Sequence, residues 1–315
     1  MIFAARGLLV SLAFFAVVYC VLSALVALAW SIVSRMRKGH PAGSADLLFG
    51  LRLFSFAVSA VITVCFTFPS FWLMERAAFD EEAGTFLLAA CGLVIVGAGA
   101  FRVLRDQSST TRALREWLLG TWGIDGSHTK PALGAANGAP ALILVGIRRP
   151  RVMISDAAAS LLSDDELQVA VRHELGHRRS CDNLKKVLIS ATPFPWMNGL
   201  EKSWREAAEL AADDAAVKNR QEALDLAAAL IKLSRSPKMK IMPEPALASG
   251  LVCGASSIAV RVERLLDWRD AGHRLQRSWK WPWTLLVLLT LTVAIASHYD
   301  ATLVLMHRLT ELLVP

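Results

Sequence analysis

The chain has 315 residues, of which 54% are hydrophobic and only 19% charged, and its 34 Lys and Arg against 27 Asp and Glu give a formal charge of +7. Soluble domains carry about 25% charged residues, so the composition is shifted towards lipid and excludes a disordered, collagen-like or nucleic-acid-coating protein. The 5 cysteines (Cys20, Cys65, Cys91, Cys181 and Cys253) are odd in number and lack a CxxC spacing, which argues against a disulfide scaffold or a Cys-ligated zinc ribbon. The expectation is an integral membrane protein with a soluble part.

Taken in chain order, residues 8–33 form the first uncharged apolar run, too long for a signal peptide and followed by two more at 53–74 and 85–100. Pro69 marks a kink in the second run, and the third reaches 104 if Arg102 snorkels. Gly92, Gly97 and Gly99 would let a neighbouring helix approach the third run closely. A fourth run, 281–297, follows Arg274, Arg277, Trp279 and Lys280 and carries Trp281 and Trp283, the anchors expected at an interface. The chain thus divides into a three-helix transmembrane region (1–105), a soluble domain (106–280), and a fourth transmembrane helix with a short C-terminal tail (281–315). The first connection is basic (Arg35, Arg37, Lys38), the second acidic (Asp80, Glu81, Glu82 beside Arg76), and Arg102 and Arg105 follow the third run. Positive charge on the inner side then places the N-terminus outside and the soluble domain in the cytosol. Juxtamembrane charge accounts for most of the basic balance, so no direct nucleic-acid contact is expected.

Within the soluble part, residues 127–140 (SHTKPALGAANGAP) are turn-rich, and 141–146 and 151–155 are β-compatible runs around Arg148-Arg149-Pro150, read as two strands and a turn. Ser163 with Glu166 forms a capping box that starts a helix running to Arg179. A second helical stretch covers 201–234 with a break near Asn219, residues 236–250 (SPKMKIMPEPALASG) form a proline-containing loop, and a last helix covers 256–268. No internal repeat stands out.

The capped helix contains His173-Glu174-Leu175-Gly176-His177, an HExxH. Imidazoles at i and i+4 project from one helical face and can bind one Zn²⁺, while the intervening Glu174 can take a proton from the attacking water. A pair of surface histidines is the plainer alternative. A catalytic zinc needs a third protein ligand, and Glu209 and Asp213, also i and i+4 on a helical segment, are candidates. Glu209 can ligate the metal while Asp213 holds an imidazole N–H; a solvated acidic face is the alternative.

HELGH followed by ELAAD resembles the gluzincin pattern of integral membrane metallopeptidases of the HtpX/Ste and BlaR/MecR types. The segments GIRRPRVMIS, SDDELQVAVRHELGHRRSCDNL, PFPWMNGLEKSWREAAELAADDAAV and VRVERLLD, with three membrane runs before the motif and one after, favour the BlaR/MecR type over residues 1–300. The resemblance implies a membrane α-helical fold of about four transmembrane helices with a mainly helical α+β zincin-type cytosolic peptidase domain. It implies one Zn²⁺ per chain held by His173, His177 and Glu209, with Glu174 as general base and acid and Asp213 in a structural role. Asp182 is expected to make a helix-end contact rather than to ligate.

The implied activity is a zinc-dependent endopeptidase in the bacterial cytoplasmic (inner) membrane, cutting a protein substrate at the cytosolic face in antirepressor-like signal transduction. An HtpX-like quality-control protease and a non-catalytic scaffold are the rivals. The implied partners are a protein substrate such as a transcriptional repressor, the lipid bilayer, and a second copy of the chain through self-cleavage or homo-oligomerisation. The 236–250 loop is the expected self-cleavage segment, and an edge within 141–155 is expected to hold extended substrate. With 18 residues after Ser297, the chain is expected to lack the C-terminal penicillin-binding sensor domain. His128 is a lesser candidate, read as a surface histidine; Cys181 could be a fourth ligand, but a catalytic zinc keeps that position open; and no His or Tyr stands at a spacing that marks an oxyanion partner. His298 and His307 are expected to be solvated near an interface.

Overall fold

The computed structural model describes residues 2–36, 44–74, 83–119, 142–147, 150–236, 248–251, 255–268 and 299–313. Helices α1 (Ile2–Met36), α2 (Ala45–Ile62), α3 (Phe68–Met74) and α4 (Ala83–Leu119) come first. Among the described residues, three helical stretches are long and apolar enough to cross a membrane: Ala4–Met36, Ala45–Met74 and Gly84–Arg115. They match the three leading apolar runs. Large aliphatic side chains such as Leu8, Leu25, Leu28, Leu87, Leu93 and Val94 stay more than half exposed on their outer faces, which suits lipid rather than water. The fourth run, 281–297, lies outside the described residues.

The kink expected at Pro69 takes the form of a π-turn, Thr63–Thr67, between α2 and α3. A proline has no N–H for the carbonyl four residues back, here that of Cys65. The chain widens locally, so that Phe68 N–H reaches the Thr63 carbonyl. The orphaned Cys65 carbonyl accepts the Tyr299 hydroxyl at 3.0 Å. Tyr299 opens α11 (Tyr299–Leu313), so the expected short tail is a helix. Its Leu303 is buried, and Met306 packs on Ala13, Phe14 and Ala89 of α1 and α4. His298 lies outside the described residues; His307 sits on α11.

Two of the three small-residue positions in α4 mark close approaches. A Cβ at Gly92 would strike the Leu12 backbone of α1, and one at Gly99 would overlap the Ala191 carbonyl, whereas Gly97 faces open space. Ala191 is not in a membrane helix but at the end of α7 (Asp182–Ala191). The Gly99 site therefore seats the segment that follows the apolar helices on the bundle. Helix α4 also runs on past residue 104, so the division at residues 105 and 106 falls inside one continuous helix.

The soluble part begins with strands β1 (Leu142–Val145) and β2 (Arg151–Ile154), the hairpin expected from the sequence. A third strand, β3 (Ala248–Gly250), pairs antiparallel with the other side of β1, giving the order β2-β1-β3. The end of the 236–250 loop is therefore a sheet strand rather than free loop; residues 237–247 lie outside the described residues. Strand β1 is buried on both faces. Leu142 joins a core with Val169, Ala170, Leu226 and Leu230, while Ile143 and Val145 pack on Ala113 and Leu114 of α4.

Helices α5 (Asp156–Leu161), α6 (Asp164–Arg179), α8 (Asn198–Ala216), α9 (Arg220–Arg235) and α10 (Ala255–Leu266) complete the domain. The capping box forms as expected, Ser163 accepting from Glu166 N–H and Glu166 from Ser163 N–H. Asn219 makes the expected break by capping α9. The α7–α8 elbow meets the bundle through Met197, Leu200 and Trp204, which pack with Val26 and Trp30 of α1 and Leu48 of α2.

Replacing Gly99 by Leu should lower thermal stability in detergent by about 1–3 kcal/mol or more, because the side chain has no space against Ala191. Gly97→Leu should melt like the parent protein.

Candidate metal centre

Helix α6 carries His173, Glu174 and His177 on its buried side, and α8 brings Glu209 and Asp213 against it. The two helices approach closely because Gly176 has no side chain. A Cβ there would lie 3.2 Å from the Ala212 Cα. The fourth position of the ELAAD segment, Ala212, faces that contact and is thus a small residue for a packing reason.

The imidazoles are held in complementary ways. His173 Nδ1 lies 2.9 Å from Asp213 Oδ1, and His177 Nδ1 lies 2.7 Å from Asp182 Oδ2. Each carboxylate takes the Nδ1 side and leaves Nε2 turned towards the other ring. The two Nε2 atoms are 3.2 Å apart, and each is 3.5 Å from a Glu209 carboxylate oxygen. Tetrahedral zinc with bonds of about 2.0–2.1 Å separates its ligand atoms by about 3.3 Å, so these three residues fit one such ion. Among the described residues they are the group able to hold a metal. Four carboxyl groups (Glu174, Asp182, Glu209, Asp213) stand against two basic side chains, Arg261 and Lys185, an imbalance that suits a dication.

The sequence-predicted residues His173, Glu174, His177, Glu209 and Asp213 are all brought together. Asp182 does more than the helix-end contact expected of it. It opens α7 after Cys181, whose left-handed backbone (φ 55°) turns the chain back so that the carboxylate meets His177. Cys181 itself is exposed and outside the metal-competent group. His128 lies outside the described residues.

Arg261 of α10 was given no role by the sequence. Its Nε and Nη2 donate to the two Asp213 oxygens at 2.8 and 2.7 Å, and its Nη1 donates to Glu209 Oε2 at 2.8 Å and to the Leu251 carbonyl at 3.0 Å. Nη2 also lies 3.5 Å from His173 Nε2. A signal was present: Arg261 falls between Ile258 and Leu265 on the buried stripe of an amphipathic helix, where an arginine needs a buried partner.

Burial alone would raise the Glu209 and Asp213 carboxyls, but Arg261, helped by the histidines, holds both well below the usual carboxylate range. Burial would likewise lower Arg261, and Asp213 and Glu209 reverse this to keep it charged. Burial works against protonated His173 too; the adjacent carboxylates of Asp213 and Glu209 outweigh that and raise its pKa above the ordinary value.

A metal-competent His/His/Glu pocket on helices seated against membrane-length apolar helices is the architecture of a membrane-associated metallopeptidase. The comparison with protein families agrees: residues 125–265 match the family model described as BlaR1 peptidase M56, which supports a BlaR/MecR-type M56 peptidase over that segment. No curated protein matches the chain.

Asp182→Asn and Asp213→Asn should each weaken divalent-metal binding by about 10–100-fold in competition with a chelator, whereas Cys181→Ala should bind normally. The raised His173 pKa also sets a pH dependence. Metal binding needs the neutral imidazole, so affinity should fall as pH drops below that raised pKa. The metal-free protein should behave oppositely. Its folded state holds the His173 proton more tightly than the unfolded chain does, a contribution fully present below about pH 6.5 and lost as pH rises through the raised pKa. Chelator competition and thermal melts across pH would check the two arms.

Proposed function

We propose that the protein is a zinc endopeptidase that cuts a protein substrate at the cytosolic face of the membrane. The convergence of both Nε2 atoms and the Glu209 carboxylate on one point, with Glu174 on the same helix, carries this reading. His173, His177 and Glu209 would hold the ion, which when bound would supply a Lewis acid for the scissile carbonyl and a water of lowered pKa. Glu174 takes a proton from the attacking water and returns it to the leaving amine. Asp213 and Asp182 keep each imidazole in the tautomer that presents Nε2.

Among the described residues strand β1 is paired on both sides, which leaves the outer edges of β2 and β3 for an extended substrate. The bond from Arg261 to the Leu251 carbonyl favours β3, which leads directly into Leu251 beside the metal centre. The same reading includes self-cleavage within 237–247, just before β3.

The orientation with the N-terminus outside rests on the basic first connection and on where the peptidase segment meets the bundle. Trp30 and Arg52, two of its contacts in α1 and α2, lie on the halves of those helices nearer that connection. A fourth span fits the position of Tyr299 at Cys65, about 20 Å further along the second membrane helix than Arg52. The match to the BlaR1 peptidase family favours a regulatory substrate, such as a repressor, over general quality control.

Glu174→Gln should retain the metal and lose cleavage; comparing proteomes of wild-type and Glu174→Gln cells would reveal the substrate as the protein that accumulates. Cleavage persisting in Glu174→Gln would refute the mechanism. In a cysteine-free background, a thiol introduced at Asp80 should be labelled from outside intact cells and one at Lys130 should not.

A further inference from the structure

The α7–α8 elbow rests on the membrane helices partly through apolar contact and partly through one charge. Arg52 lies on the inward stripe of α2 with Leu48, Ser55 and Ser59 and is 1% exposed. Its Nε donates to Glu201 Oε1 at 3.0 Å, Nη1 to Thr192 Oγ1 at 3.2 Å and Nη2 to the Thr192 carbonyl at 2.7 Å. From α1, the Tyr19 hydroxyl lies 3.1 Å from that carbonyl and from the Pro193 carbonyl. Thr192 ends α7, and Glu201 stands in the first turn of α8.

Both helices lead from this node to the metal centre. Helix α7 starts at Asp182, which holds His177 Nδ1 at 2.7 Å. Helix α8 carries Glu209 about 12 Å along its axis from Glu201. A displaced elbow would therefore move a ligand and the group that orients another. Simple attachment does not need a buried ion pair, because Trp30, Met197, Leu200 and Trp204 already supply apolar contact. A buried charge at the edge of an apolar span is retained only where it is fully partnered, and here its partners belong to the peptidase segment.

We propose that Arg52 is a positioning residue for the metal centre: its bonds to Glu201 and Thr192 fix the elbow and thereby the placement of His177 and Glu209. This rests on the reading of His173, His177 and Glu209 as a metal site. The contact also makes the membrane helices part of the site's support.

The test is cobalt(II) binding to the full-length protein in detergent, read by affinity and by the visible absorption bands that report ligand geometry. Arg52→Gln should bind at least about 10-fold more weakly than wild type and with altered bands, at unchanged helical content. Glu201→Gln, which keeps the shape and removes the charge, should shift affinity in the same direction and decides the matter if Arg52→Gln does not fold. Lys202→Gln, which breaks an exposed pair with Glu206 on the same helix, should leave binding unchanged. Folded variants with wild-type affinity and bands would overturn the positioning role while leaving the metal site intact. Failure of the wild type to take up cobalt would overturn the metal-site reading and this inference together.

Discussion

The bonds of Arg261 hold the centre of the peptidase domain together. One guanidinium, almost wholly removed from solvent, ties α10 to Asp213 and Glu209 on α8 and to the Leu251 carbonyl after β3. Through Asp213 it reaches His173 on α6. Removing one partner of such a network would leave a buried charge uncompensated, the costly outcome for an interior ion pair. The carboxylates are acidic because this cation is there, and a carboxylate kept ionised is what both a metal and an imidazole N–H require.

A similar logic runs outward. Among the described residues, the domain is bonded directly to the apolar helices. Its elbow is bonded to Tyr19 and Arg52, its α7 seats on Gly99, and Ser190 donates to Asp106 of α4 at 2.7 Å. Lys185, largely buried, adds a bond from α7 to the exposed Asp46 of α2 at 2.7 Å. Membrane bundle and peptidase share apolar clusters, with Trp30 and Trp204 in one of them.

Much of this was legible in the sequence because the signals were local. Apolar run length gave the three leading spans, the Ser163/Glu166 capping box gave the start of α6, and Asn219 marked the boundary between α8 and α9. The His173, His177 and Glu209 cluster followed from helical spacing and the family resemblance. What escaped depends on partners distant in the chain. Arg52 was left out of the second run as a charge at its edge, since nothing local shows that Glu201 lies opposite it. Strand β3 is three residues that owe their conformation to β1. Helix α7 starts at a left-handed cysteine, a position where sequence rules look for glycine. Tyr299 answers a proline far upstream, a pairing that only the folded bundle makes.

Helix α4 has a further mechanical meaning. At 37 residues it is about 55 Å long, while an apolar bilayer core is about 30 Å thick, so about 25 Å of the same rod stands clear of the lipid. Its far part carries Ala113 and Leu114 against Ile143 and Val145 of the central strand. A span that is too long for its bilayer accommodates by tilting. With no break between the two halves, a tilt of about 10° in the lipid would sweep the far end sideways by about 4 Å over that projecting length. One unbroken rod thus runs from the apolar bundle to the sheet, with no joint to absorb a change of angle.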